Sequence, residues 1–244
     1  MNILEIENLQ VSLSTSRFSR PENILKGISL RVPENCILAF LGPNGSGKTT
    51  TIKTILGLIP HYSGSIRLFG QEVGSPALRL RLGYAPENAY FLPHLTPREI
   101  LLSFGTLSGL KKKEIAEKSI YWLEKLSLAH VIDKQVRFFS KGMKQRLALV
   151  QSLLHDPDFL IFDEPSTGLD PMGQAEIKEL MLELKKRRKT VFVSTHHLLD
   201  AGEFCDEVVI LNQGQVLKMG GLKEILPVGM NLEQFFRSVV GQQL

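Results

Sequence analysis

The chain has 244 residues, 43% hydrophobic and 22% charged, with a formal net charge of +4. This composition excludes a disordered or fibrous chain, and the length suits one large domain or one domain with an insertion. A charge this small does not select nucleic acid as a partner, and Cys36 and Cys205, which lack metal-ligand spacing, fit a reduced, cytoplasmic chain.

The opening MNILEIENLQ carries acids and no basic segment, so it does not read as a signal peptide. No apolar run approaches the roughly 18 residues that cross a bilayer. ILEIENLQVSL and ISLRV alternate apolar with polar residues, as an antiparallel edge sheet does. CILAFLG (36–42), FLIFDE (159–164), TVFVST (190–195) and EVVILN (207–212) are instead continuous apolar runs. They predict strands of a parallel sheet buried on both faces, with helices as the crossovers.

Between the first two of these runs lies a helical stretch. Thr96 is placed as an N-cap, Pro97 at the first helical position and Glu99 to close a capping box, with Leu95 and Ile100 spaced as a staple. KKKEIAEKSIYWLEKL follows, with Ile115, Trp122, Leu123 and Leu126 on one face. FSKGMKQRL (139–147) then opens an apolar helix. The chain closes on a short amphipathic tail from about residue 222.

The strongest chemical signal is LGPNGSGKTT (41–50), which fits G-x-x-x-x-G-K-[ST] between an apolar strand and a helix. Glycines let backbone N–H groups curl around phosphate oxygens, and the helix start adds partial positive charge. The candidate binding residues are Gly42, Pro43, Asn44, Gly45, Ser46, Gly47, Lys48, Thr49 and Thr50. Lys48 would reach the β- and γ-phosphates and the Thr49 hydroxyl a Mg²⁺ position. FLIFDEP supplies the second half: Asp163 to hold Mg²⁺, and Glu164 to polarise an attacking water as general base. A GTPase would carry an Asn-Lys-x-Asp motif, which is missing, and small-molecule kinases rarely follow the strand acid with Glu-Pro-Ser-Thr-Gly-Leu-Asp.

GPNGSGKTT, FSKGMKQR, LIFDEP, STGLD and STHH, in this order, resemble the ATP-binding subunits of ABC transporters over residues 3–240. The resemblance implies a single α/β domain with a P-loop NTPase (RecA-like) core and parallel sheet. It also implies an N-terminal antiparallel β subdomain and an inserted α-helical subdomain. The core would cover about 1–87 and 148–221, the helical signature subdomain about 88–147, and the tail about 222–244. ATP and Mg²⁺ are the implied ligands. Two such domains, a homodimer or a pair with a different ATP-binding subunit, would close head to tail around two ATP. Ser140 and Gly142 would then meet the γ-phosphate held by the other copy. His196 would contact the γ-phosphate, and Asp170 would lie in the loop that passes signals between sites. The implied partner is a membrane-spanning permease on another chain. The implied location is cytoplasmic, peripheral on the inner face of the cell membrane.

The sequence departs from the family pattern at three places. Glu87, in GYAPENAYFLPHLT, stands where a Gln usually contacts Mg²⁺, a substitution similar to that in the exporter branch. Leu13 stands where an aromatic residue usually stacks on adenine, and Phe18, in the longer loop that follows, is the substitute. Lys141 and Met143 alter the signature itself. The ending NLEQFFRSVVGQ resembles that of ABC-2 type exporters. KKRRK (185–189) and KKK (111–113) have no interleaved aromatics, so they read as solvated faces rather than a nucleic-acid site. The alternative, a soluble ABC-type ATPase of translation or DNA maintenance, would carry tandem nucleotide domains or a long coiled coil, and one phosphate loop argues against it.

Overall fold

The computed structural model describes residues 1–14 and 21–241. In chain order the elements begin with strands β1 (Asn2–Leu13), β2 (Glu22–Pro33) and β3 (Ile37–Leu41), helix α1 (Lys48–Ile55), and strands β4 (Ser63–Leu68) and β5 (Gln71–Glu72). Next come α2 (Pro76–Arg79), β6 (Leu82–Ala85), α3 (Pro97–Leu107), α4 (Lys112–Lys125), α5 (Lys141–Leu153), β7 (Phe159–Asp163) and α6 (Pro171–Lys186). The chain continues through β8 (Thr190–Thr195), α7 (Leu198–Phe204), β9 (Glu207–Asn212), β10 (Gln215–Gly221), α8 (Leu222–Ile225) and α9 (Leu232–Gly241). They form two compact units, Met1–Leu78 with Thr190–Leu244, and Arg79–Lys189.

The first unit holds two kinds of sheet. β2, β1, β4 and β5 lie in that order and pair antiparallel. β1 buries Ile3, Leu4, Ile6, Leu9 and Val11 and exposes Glu7, Asn8, Gln10 and Ser12, the pattern of a sheet with one wet face, with a one-residue shift in phase between Ile6 and Leu9. β3 pairs parallel with both β8 and β9, and β10 closes on β9 antiparallel. Every residue of β3 and β8 is buried. Each Leu, Val or Phe so buried contributes about 1.5–3 kcal/mol of hydrophobic stabilisation, which keeps the strand ends carrying the site rigid. Asp206 adds a pin: its carboxylate accepts from Ile37 N at 3.0 Å, and its own N–H donates to Ile37 O at 2.8 Å.

The second unit pairs β6 and β7 parallel and packs α5 on them, with α3 and α4 beside α5. α3 starts as its sequence predicts. Thr96 Oγ1 accepts from Glu99 N at 3.3 Å while Glu99 Oε2 accepts from Thr96 N at 2.8 Å. The Thr96 N–H and the Thr96 hydroxyl, which donates to the same Glu99 oxygen at 3.0 Å, hold the Glu99 carboxyl below its usual range. Thr96→Ala should cost about 1 kcal/mol, read in a thermal melt as a fall in Tm of about 2–4 °C. In α4, Ile115, Trp122 and Leu123 are buried, and Leu126 is buried as its C-cap.

Candidate functional site

The site residues fall on both units, and each half is built locally. In the first unit, residues 42–47 join buried β3 to α1. Gly47 is the N-cap of α1 at φ 108°, and a Cβ there would stand 2.6 Å from Leu25 Cδ2, so only glycine fits. No side chain caps this helix start and no acid lies in its first turn, which leaves its donors and its positive end for an anion. Lys48 is buried, and its Nζ donates to Gly42 O at 2.7 Å and to Pro43 O at 3.4 Å, which folds the ammonium back over the loop. Ser46 Oγ is buried with no hydrogen-bond partner. Pro43, Asn44 and Gly45 are exposed, and Thr49 and Thr50 are half-buried in the first turn of α1.

His196 follows β8 directly and is exposed. Its ring lies 4.4 Å from that of His197, and His197 N donates to Thr195 Oγ1 at 3.0 Å. The loop residues Gly42, Pro43 and Asn44 line one cavity of about 260 Å³ with Thr195, His196, Leu198 and Phe236. The structure therefore brings the start of the phosphate loop and His196 together. Phe236, on α9, is an addition that the sequence reading did not single out, because only the fold carries the tail to this wall. Leu13 ends β1 with its side chain exposed. Phe18 lies outside the described residues.

In the second unit, β7 delivers Asp163 and Glu164 at its end, 2% and 7% exposed. Glu164 adopts φ 51°, a left-handed backbone that costs a bulky residue about 1–3 kcal/mol and gathers at functional sites. Its carbonyl accepts from Thr167 N at 3.1 Å, closing the turn. Tyr84, on β6, has its phenol pushed up to about 12, first by burial and then by the negative charges of Asp163 and Glu87. The two carboxylates thus act on one side chain, and that side chain stays a neutral O–H donor at neutral pH. Tyr84 was missed in the sequence because β6 is only four residues long.

Ser140 is the N-cap of α5, its Oγ accepting from Met143 N at 3.2 Å, and it is exposed; Gly142 is half-buried in the first turn. Gln145 donates to Pro86 O at 3.0 Å, tying α5 to the segment that carries half-buried Glu87. Asp170 is the exposed N-cap of α6 and accepts from Gly173 N at 3.0 Å.

These groups fit the ligands the sequence implies. A helix start without a side-chain cap, a buried ammonium and a buried hydroxyl lacking a partner form a donor set for polyphosphate. Among the described residues no cluster of three or more His, Cys, Asp or Glu could hold a metal ion. Mg²⁺ needs no such cluster, because it takes one or two carboxylates with water and phosphate oxygens; Thr49 is an oxygen donor of the first unit, and Asp163 and Glu87 are oxygen donors of the second.

The sequence pattern of the ABC transporter family matches residues 25–167. An uncharacterised ABC transporter ATP-binding protein of Synechocystis is 40% identical over 83% of this chain and 58% of its own length. The bacitracin transport ATP-binding protein BcrA of Bacillus licheniformis is 40% identical over 78% of this chain and 62% of its own. The chain thus spans about three fifths of the length of these relatives. A solved structure described as the ATP-binding subunit of an ABC transporter superposes with a TM-score of 0.86 at 30% identity, covering 98% of this chain and 99% of that one. Among the described residues no helix is long and apolar enough to cross a membrane. The chain belongs to the ABC transporter family.

Proposed function

We propose that this chain binds and hydrolyses ATP to power a separate membrane-spanning permease of the ABC-2 exporter type, to which it docks at the inner face of the membrane. Two copies close around two ATP, each nucleotide lying between the Lys48 loop of one copy and the Ser140 helix start of the other. Lys48 and the N–H groups of the loop bind the phosphates. Thr49, Asp163 and Glu87 are the oxygen ligands offered to Mg²⁺, which when bound neutralises charge on the phosphate oxygens. Glu164 accepts a proton from the attacking water as its oxygen bonds to the γ-phosphorus, and the bond to the ADP oxygen breaks. His196 holds the γ-phosphate in place, and Asp170 relays the state of one site to the other. Loss of the γ-phosphate removes the bridge and reopens the pair.

The observation that carries this reading is Glu164, a buried carboxylate held in strained backbone one residue after Asp163. The exporter assignment is supported by Glu87 and by the NLEQFF ending of the tail. The test of the cross-interface role is Ser140→Ala. Its hydroxyl stands exposed at a helix start that no acid occupies. ATP affinity of the isolated chain should stay within about twofold, while turnover falls on the order of tenfold, the effect of losing one charge-assisted donor bond. A drop in nucleotide affinity of the isolated chain, with turnover per bound ATP unchanged, would contradict it.

A further inference from the structure

Three contacts within the second unit join the first turns of α5 to the loop that ends at Asp170. A Cβ at Gly142 would lie 3.0 Å from Leu169 Cδ2, so the helix start rests on this loop. The stem of Lys141 lies along Gly168, where an added Cβ would meet Lys141 Cδ at 3.3 Å. Four residues beyond Gly142, and so on the same face of the helix, stands Arg146. Its side chain is only 16% exposed, and its guanidinium forms ion pairs with Asp170 Oδ1 at 3.6 Å and Glu176 Oε2 at 3.2 Å.

Both carboxylates have other fixed partners. Asp170 Oδ1 caps α6 through Gly173 N, and Glu176 Oε1 accepts from Ser127 Oγ at 2.7 Å. The guanidinium therefore closes a bridge between acids that are already held. Room for it comes from Gly173, where a Cβ would stand 2.8 Å from Arg146 Nη2 and 2.9 Å from Asp170 Oδ1. Gly173 sits in the first turn of α6, where helix propensity alone favours alanine. The glycine admits the guanidinium, and an added Cβ would also crowd the capping Asp170 Oδ1 and, at 3.1 Å, Leu169 Cβ. The guanidinium reaches the two carboxylates with different nitrogens, Nη2 toward Asp170 and Nε toward Glu176, at ion-pair range and without a hydrogen bond from Nε, a span that a lysine ammonium covers poorly.

We propose that Arg146 is a positioning residue that ties the phosphate-facing start of α5 to the Asp170 loop, so that the two move as one piece when copies close. The proposal rests on the cross-interface role given to Ser140 and Gly142 above. It deepens that role by making the γ-phosphate contact and the signalling loop a single mechanical unit. ATP-driven closure at one site then sets the Asp170 loop through Arg146.

Two substitutions test this in the full chain. Arg146→Lys keeps the charge and removes the fork. Gly173→Ala keeps every charged group and inserts a methyl between the guanidinium and Asp170, on a helix that alanine favours. Both should lower kcat on the order of tenfold, the effect of displacing a positioned group by about an ångström or less. The ATP affinity of the isolated chain should stay within about twofold and Tm should not fall in Gly173→Ala. Parental kcat in either variant would overturn the proposal. So would a joint loss of Tm and nucleotide binding in both, which assigns Arg146 to stability alone. Ser140→Ala separates the two levels. If it impairs turnover while Gly173→Ala does not, the positioning role falls alone; if Ser140→Ala is also silent, the cross-interface reading falls with it.

Discussion

Glu164→Gln should retain ATP and lose turnover, by on the order of a hundredfold or more, the range measured for removal of a general base. The amide is nearly isosteric with the carboxylate and donates and accepts hydrogen bonds, but it does not take a proton from water. Glu164 is 7% exposed and its backbone lies at φ 51°. Glutamine pays the same backbone strain, so the turn closed by Thr167 N on the Glu164 carbonyl should persist. The loss should therefore fall on chemistry and not on folding. Single-turnover phosphate release, measured beside nucleotide retention and a thermal melt, checks this. Release at the parental rate would remove Glu164 from the role of base.

Lys48→Ala should weaken ATP binding itself. The ammonium is buried and held over the loop by the carbonyls of Gly42 and Pro43, at 2.7 and 3.4 Å from Nζ. It is thus positioned before any phosphate arrives, and little ordering cost remains on binding. A hydrogen bond to a charged group is worth about 1.5–3 kcal/mol, and two such bonds to phosphate correspond to a loss of affinity of at least about a hundredfold. Titration with a fluorescent ATP analogue reads this directly. An unchanged dissociation constant would contradict the placement of Lys48 on the phosphates. The contrast with Glu164→Gln matters most: one variant should fail to bind, and the other should bind and fail to turn over.

The parts of the fold that were legible are those fixed by local physics. β3, β7, β8 and β9 could be read because strands buried on both faces must be apolar throughout. The start of α3 could be read because Thr96, Pro97 and Glu99 satisfy the backbone of their own turn. β10 gives no such signal: none of its residues is fully buried, and its pairing on β9 comes from the tertiary fold. β6 is too short to show a period.

The candidate site divides the same way. The phosphate loop, the acids after β7 and the histidine after β8 are motifs whose chemistry is contiguous in sequence. The effect of Asp163 and Glu87 on the Tyr84 phenol, and the cavity that Phe236 lines with His196, become visible only in three dimensions. Arg146 is the clearest case. It closes the FSKGMKQR motif inside α5, and its carboxylate partners lie at positions 170 and 176. Gly173 leaves room for the guanidinium as well as for the Asp170 cap and Leu169 Cβ, so its part in the bridge shows only in three dimensions.

ATP should close two copies of this chain around shared sites. The most direct measurement is the particle mass of Glu164→Gln in solution by light scattering, with and without saturating ATP and Mg²⁺. Each particle should hold one chain without nucleotide and two chains with it. One chain per particle at saturating ATP, with nucleotide demonstrably bound, would contradict it.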